Sequence, residues 1–419
     1  MLFPCDESFR KSAKKINRVL RRDEKDAVQY RTIDNMIERE GERIQEYMSE
    51  KAEEILKNHG FTAEGRLVSS SKEIRSEIFD GDMGGVQSSG TTEEQSTEED
   101  PKNIEVNHFD ANKGHDPKIE PYTITEEVIN QVIEEINAGK GEDLQIELSD
   151  LHETFEDPAC IKANISLDDV LSKKQKESNR KKNAPSKEKN EFIKNTVAHL
   201  QNGEQATYLL NAACIEKILI LVLAFLLENG LHTSGGQLIF FIDGAADLRS
   251  GIQSLFLGLW SFKIILDWFH LEKKCKERLS MAMRGKLIRN KVLAYITQLL
   301  WYGKVEAAIA YLQDLNKDDI KNQDEIKRLI GYLERNRSFI PCYVLRQKLG
   351  LRVSSNQGEK ANDLVVSSRQ KNNGMSWSAS GSNSLASVTT VHLNNEYSNW
   401  LLNHDIAFHF KKAEEKVAA

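Results

Sequence analysis

The chain has 419 residues, of which 39% are hydrophobic and 29% charged, and its formal net charge is −7. This composition is typical of a globular protein, excludes collagen-like, fibrous and wholly disordered chains, and at about 150 residues per domain predicts about three units. The longest apolar run, residues 218–227, is well short of the roughly 20 residues that cross a bilayer, and the first residues carry charges where an export signal needs an apolar stretch. We therefore expect a cytoplasmic protein with no membrane partner.

Residues 8–59 are predicted to form a helix, because apolar residues recur at spacings of three, four and seven. Seven basic residues between Arg10 and Arg22 could lie along DNA phosphates or form a solvated face. Residues 73–157 then hold 24 acidic and 5 basic residues, a balance of −19, so the rest of the chain carries +12 and could bind nucleic acid. Within this acidic part, residues 81–116 have the composition of a disordered linker, and a short helix is predicted at 125–138.

After residue 158, short apolar strands alternate with helices, which predicts an α/β core. Residues 163–167 alternate like a strand and run into two acids, Asp168 and Asp169. The run QLIFFI at 237–242 has the length and composition of a buried central strand, and it ends at Asp243. Further strands are predicted at 192–200, 204–210 and 262–266, and further helices at 215–228 and 247–257.

The third part of the chain is predicted to be mostly helical. Residues 272–337 show continuous helical periodicity with short breaks, which we interpret as an all-helical insertion. Beyond Pro341, residues 358–372 are predicted to form a helix with Glu359 near its start. The stretch 374–384 is small and polar around Trp377.

Three acids stand at the ends of these predicted elements: Asp168 after a strand, Asp243 after the buried strand, and Glu359 in the first turn of a helix. Carboxylates so placed can converge and hold two divalent cations, and Mg²⁺ (or Mn²⁺) suits an oxygen-only ligand set. Two such ions would stabilise the attacking and leaving oxygens of a phosphoryl displacement. Because the chain has 64 acidic residues, several strands end in an acid by chance, and this pattern alone does not select a function.

Four segments carry a resemblance to a known family. They are NISLDDVLSKKQK at 164–176, LIFFIDGA at 238–245, ILDWFHLEKKCKE at 265–277 and EKANDLVVSSRQKNNGMSWSASGS at 359–382. In this order they resemble bacterial insertion-sequence transposases of the DDE type, related to the Mutator-like group, over residues 160–402. The resemblance implies an RNase H-like mixed sheet with flanking helices, interrupted by the helical insertion and preceded by the N-terminal helical region.

The resemblance also implies roles for individual residues. Asp168, Asp243 and Glu359 match the three catalytic, metal-binding acids of the family, with Asp169 where relatives often have Gly. Asp267 and His270 match a D-x-x-H motif that lies beside the acids and supports them. For His270 a purely local role, as a helix cap or in orienting Asp243, remains an alternative.

Basic residues near the acids are predicted to contact DNA phosphates, and a merely solvated charged face is the alternative. They are Lys173, Lys174, Lys176, Lys273, Lys274, Lys276, Arg369 and Lys371. Trp377 is predicted either to stack on a DNA base or to be buried in the core. Two features depart from the family. The five cysteines are widely spaced and form no zinc element, and Gly358 stands where an apolar residue is expected.

The sequence therefore predicts a transposase that binds the terminal inverted repeats of its own element, cleaves strand ends with Mg²⁺ and joins them to target DNA as a homo-oligomer. The alternatives are a transposase-derived DNA-binding protein without chemistry, and an RNase H-like nuclease that cuts without joining. The predicted parts are an N-terminal helical, possibly DNA-binding region (1–80), an acidic linker (81–120), a helical connector (121–160), the first core part (161–271), the helical insertion (272–340), the second core part (341–410) and a tail (411–419).

Overall fold

The structure is a computed structural model that describes residues 7–68, 124–151, 161–175, 191–203, 206–231, 236–371 and 375–410. The predicted acidic linker at 81–120, the predicted DNA contact Lys176 and the tail at 411–419 lie outside the described residues.

A five-stranded mixed sheet lies at the centre of the molecule. Its strands are β1 (Ile161–Lys173), β2 (Phe192–Asn202), β3 (Ala206–Ala212), β4 (Gln237–Ile242) and β5 (Ser261–Leu266). The order across the sheet is β3-β2-β1-β4-β5. The first three strands pair antiparallel, whereas β4 and β5 run parallel to β1. The predicted α/β class is confirmed, as a mixed sheet with flanking helices.

Helices cover both faces of this sheet. They are α1 (Phe9–Val19), α2 (Tyr30–Asn58), α3 (Glu126–Asn137), α4 (Ile215–Glu228), α5 (Ala246–Phe256), α6 (Trp268–Ala282), α7 (Lys286–Trp301), α8 (Val305–Gln313), α9 (Gln323–Asn336), α10 (Tyr343–Lys348), α11 (Asn356–Asn362), α12 (Ala379–Leu393) and α13 (Tyr397–Asn403). Beyond α11 the helical path continues through a π-helical turn at Asp363–Ser367 and a last turn at Ser368–Gln370. Among the helices described, none combines the length and the apolar character needed to cross a membrane.

The two faces of the sheet have different partners, because successive side chains of a strand point to opposite sides. On one face, Ile165 and Leu167 of β1 pack in a core with α4 and α5. On the other face, Ile239 and Phe241 of β4 pack in a core with α6 to α9, the predicted helical segment. The helix α2 packs against α4 and α12, so the N-terminal helices lie on the core of the protein.

The first strand and the N-terminal helix differ most from the sequence prediction. The strand β1 does not end before Asp168 but continues to Lys173, because residues 164–173 pair antiparallel with β2. The predicted single helix at 8–59 is two helices, α1 and α2. The side chain of Asn17 closes the turn between them by hydrogen bonds to the backbone N–H and C=O of Val28, at 2.7 and 3.0 Å.

The helix α12 was not predicted, because its first half, ASGSNS, has no apolar periodicity. Its small residues instead allow close packing on α2. A Cβ atom on Gly41 of α2 would overlap the backbone of Ser384 in α12, so the two helices touch where neither has a bulky side chain.

We predict that Gly41→Ala lowers the free energy of unfolding by about 1–3 kcal/mol, since the added methyl group must push α12 away. Gly331→Ala in α9 is the matched control. Its Cβ would meet only the flexible end of Arg335 at 3.3 Å, so helix propensity should dominate and raise stability by up to ~1 kcal/mol. Chemical denaturation of both variants checks this, and a stabilising Gly41→Ala would contradict the close packing.

Candidate metal centre at the end of the sheet

Two of the predicted acids lie side by side because of strand register. Ser166 of β1 is paired with Phe241 of β4 as the last parallel pair between these strands. Continued two residues beyond this pair, the register would set Asp168 opposite Asp243, which directly follows β4. Neighbouring strands lie about 4.8 Å apart, so the two carboxylates leave adjacent backbone positions.

The third acid comes from a helix that crosses this face. Glu359 lies in the first turn of α11, and its backbone N–H donates to Ser355 O at 3.0 Å. Side-chain ligand atoms of Asp168, His270 and Glu359 all lie within 4.8 Å of one another, and this group could hold a metal ion. Asp243 is outside that group, although its charge acts on Asp168. The structure thus places His270, predicted only as a support, among the possible ligands.

Asp168 is held in a poorly solvated position. Asn362 donates to Asp168 Oδ2 at 2.5 Å, and the backbone N–H of Asp169 donates to Oδ1 at 2.8 Å. Burial raises the pKa of Asp168 to about 7, the charges of Asp243 and Glu359 act in the same direction, and His270 opposes them. The metal-free site therefore disfavours the ionised carboxylate that a cation would stabilise.

Asp243 is in a similar environment at the end of β4. Burial raises the pKa of Asp243, while a hydrogen bond from the backbone N–H of Ala245 at 2.8 Å works against this. The next residue, Gly244, has a φ of +88°, and a Cβ there would lie 2.9 Å from Leu266 Cδ1. A glycine is required for the chain to turn here directly after the carboxylate.

His270 is the cation of the cluster. Its Nε2 lies 3.1 Å from Glu359 Oε1, and its Nδ1 lies 3.7 Å from Asp267 Oδ2. Burial alone would lower the pKa of His270, but the carboxylates of Asp267, Asp168 and Glu359 outweigh it and raise the pKa to about 9. In the metal-free protein His270 is therefore a positively charged counter-ion of Glu359.

Asp267 connects the chain segments that carry the residues of the cluster. Its side chain is fully buried and caps α6 by accepting from Phe269 N at 2.8 Å. It also accepts hydrogen bonds from Ser354 Oγ at 3.1 Å, from Ser355 N at 2.9 Å and from Ser355 Oγ. Burial acts to raise the pKa of Asp267, but His270 and the bonds from Ser355 lower it overall. Asp267 is thus an ionised positioning residue that joins α6 to the segment leading into α11.

Close packing fixes the position of α11 over the sheet. A Cβ on Gly358 would lie 2.7 Å from Ser166 Cβ, so the glycine lets α11 approach β1 directly beside Glu359. The apolar residue expected at this position from the family resemblance would not fit. Gly358 therefore allows α11 to lie close to β1 beside Glu359.

The predicted basic residues are placed in different surroundings. Lys371 is close to the cluster, since the charges of Asp168 and Glu359 act on it, and burial is the main cause that lowers the pKa of Lys371. Lys273 is near enough to Lys371 to contribute to this lowering. The other described lysines are more distant or paired: Lys173 and Lys276 are exposed, Lys174 pairs with Glu191 at 2.6 Å, and Lys274 lies 5.9 Å from the ring centroid of Tyr332.

Arg369 and Trp377 lie inside the protein. They are 2% and 6% exposed, and the Arg369 guanidinium lies 5.0 Å from the ring centroids of both Trp377 and Phe9. The indole N–H of Trp377 donates to Gln370 O at 3.2 Å. Both side chains are therefore in the protein interior, which for Trp377 is the core alternative of the sequence prediction.

Sequence reasoning missed two partners of the acids. Asn362 was not singled out, although it lies three residues after Glu359 and therefore on the same helix face. Lys194 binds Asp169 Oδ2 at 2.5 Å on the opposite face of the sheet, where Thr196 Oγ1 also donates to Asp169 at 2.6 Å. Asp169 is thus paired with its own partners, although its charge still acts on Asp243.

Comparisons of this chain with protein-family models, with curated proteins and with solved structures gave no match.

We predict that Asp168→Asn stabilises the metal-free protein, and more so at pH 8 than at pH 5. Because the folded-state pKa of Asp168 is raised above the ordinary 3.8 to about 7, the wild type loses stability as pH rises between these values. The gain from the substitution should therefore increase by roughly 2–3 kcal/mol from pH 5 to pH 8. Denaturation in EDTA measures it, with the exposed Asp363→Asn as control. A gain that does not change with pH would contradict the burial of this charge.

Proposed function

We propose that this protein is a DDE-type transposase that cleaves and joins DNA strands with divalent cations. The observation that carries the proposal is that Asp168 and Glu359, distant in sequence, lie together with His270 at one end of the sheet. Asp243 directly follows the neighbouring strand β4, and its charge acts on Asp168. The order of the mixed sheet and the long helical segment between β5 and α11 support the RNase H-like part of the resemblance.

The chemistry of the donor set fits Mg²⁺ or Mn²⁺. Asp168 and Asp243 are poorly solvated carboxylates with raised pKa values. A bound cation would stabilise their ionised form, which water solvates poorly at these positions. Asp168, Asp243 and Glu359 would hold two ions, with His270 beside them. When bound, such ions supply charge stabilisation to the attacking and leaving oxygens of phosphoryl transfer.

The remaining residues of the site would hold and orient the DNA strand. Lys371 lies near Asp168 and Glu359, and Lys273 lies near Lys371. Both lysines would neutralise the phosphates that flank the scissile bond. His270 would keep the Glu359 carboxylate turned toward Asp168 through its 3.1 Å contact. Asn362 would fix the rotamer of Asp168 by donating to Oδ2. As the sequence predicts, the protein would act on the ends of its own element as a homo-oligomer.

One observation favours a DNA-binding protein that has lost the chemistry. A protonated His270 already neutralises Glu359 and acts on Asp168, so a cation has to compete with a positive charge that the protein supplies. If that competition prevents metal binding, the protein would bind DNA without cutting it. The same assay separates the two functions.

The test uses purified protein and duplex DNA containing the sequence that flanks the coding region, with either Mg²⁺ or EDTA. We predict cleavage only with Mg²⁺, and a decrease of roughly 1,000-fold in Asp243→Asn and in Glu359→Gln, equivalent to several kcal/mol of transition-state stabilisation. DNA binding in EDTA should be retained in both variants. Asp324→Asn is the control, since that side chain is 76% exposed on α9 and should leave cleavage unchanged.

Each other outcome selects an alternative. Binding without cleavage in the wild type would identify the DNA-binding protein, and cleavage without joining to target DNA would identify the nuclease. Cleavage that persists in both acid variants would contradict the assignment of the three acids.

A further inference from the structure

The first turn of α6 presents three successive side chains to different surroundings. Trp268 is 1% exposed and lies in the core, and His270 contacts Glu359. Phe269, between them, is 45% exposed. The main chain of Phe269 is anchored, because its backbone N–H donates to the buried carboxylate of Asp267. An aromatic ring is thus held in solvent directly beside the acid cluster.

Phe269 belongs to an exposed stripe along α6. Lys273 and Lys276 follow it at spacings of four and three residues, so the three side chains lie on one helix face, and all are exposed. We call Phe269, Lys273 and Lys276 the α6 stripe. It begins at the cluster, where the ring centroids of Phe269 and His270 are 5.6 Å apart, and leads away from it.

The charge of the α6 stripe is available to a ligand. Lys276 is exposed, and Lys273 has a contact of 4.0 Å with Glu277, in which the side chains are 59% and 30% exposed. A solvated pair of this kind contributes little stability, so a phosphate can replace the carboxylate at small cost.

We propose that the α6 stripe binds a single DNA strand, with one unpaired base stacked on Phe269 and the neighbouring phosphates on Lys273 and Lys276. Every base has a π face that stacks on an aromatic ring, whereas the bases of a duplex are already stacked on each other. The ligand is therefore an unpaired strand, such as the end released beside the acids. This inference rests on the proposed function, because it takes DNA to be the substrate of the cluster.

The test measures binding of a fluorescent oligothymidylate, and of the matching duplex, to the full chain in EDTA. We predict that Phe269→Ala weakens single-strand binding roughly 10-fold, that Phe269→Trp restores it, and that duplex binding is unchanged in both. Lys273→Ala should instead reduce the salt dependence of single-strand binding by about 0.7 in the log–log slope. The control is Leu287→Ala, which truncates a side chain that is 71% exposed on α7.

Several results would overturn the inference. These are no binding of the oligonucleotide by the wild type, equal single-strand affinity of Phe269→Ala and Leu287→Ala, or equal losses on single strand and duplex. Thermal melting checks that Phe269→Ala remains folded. Because binding is measured without metal, its failure is distinguishable from failure of the proposed function, which is tested by Mg²⁺-dependent cleavage.

Discussion

The buried carboxylate of Asp267 is the contact on which the candidate site depends. The backbone N–H of Asp267 donates to the carbonyl oxygen of Ile242 at 2.9 Å, and Ile242 directly precedes Asp243. The Asp267 side chain caps α6, the helix that carries His270. The same carboxylate accepts from Ser354 and Ser355, which lead into the helix of Glu359. One side chain therefore links three chain segments that are distant in sequence. Breaking the contacts of a buried, hydrogen-bonded charge of this kind is strongly destabilising. We therefore expect the three segments to keep fixed positions relative to one another.

Like charges brought together at the sheet end repel one another, and the protein compensates this only in part. Asp168 and Asp243 retain raised pKa values, although His270 acts on both of them. Such an arrangement costs stability in the metal-free protein and favours cations that can share the carboxylates. Asp169, one residue away, shows the contrast. It points to the other face and is paired with Lys194, which is a structural role.

The parts of the fold that follow local pattern were predictable from the sequence. The apolar run of β4 is buried at all six positions and ends at Asp243, as predicted, and Glu359 lies in the first turn of its helix. Contacts between distant segments were not predictable. The strand β1 continues through Asp168 because β2 pairs with it, and Gly358 is required because Ser166 lies beneath it. The helix α12 has no local signal in its first half and forms where it packs on Gly41.

The central claim is that three carboxylates, drawn from two strands and a helix, form one cation site. Calorimetric titration of the DNA-free protein with Mn²⁺ at pH 8 tests it most directly. The account predicts two bound ions in the wild type and weakened binding in each of Asp168→Asn, Asp243→Asn and Glu359→Gln, with Asp363→Asn unchanged. Binding of Mn²⁺ that is the same in all four variants, or no binding in the wild type, would contradict it.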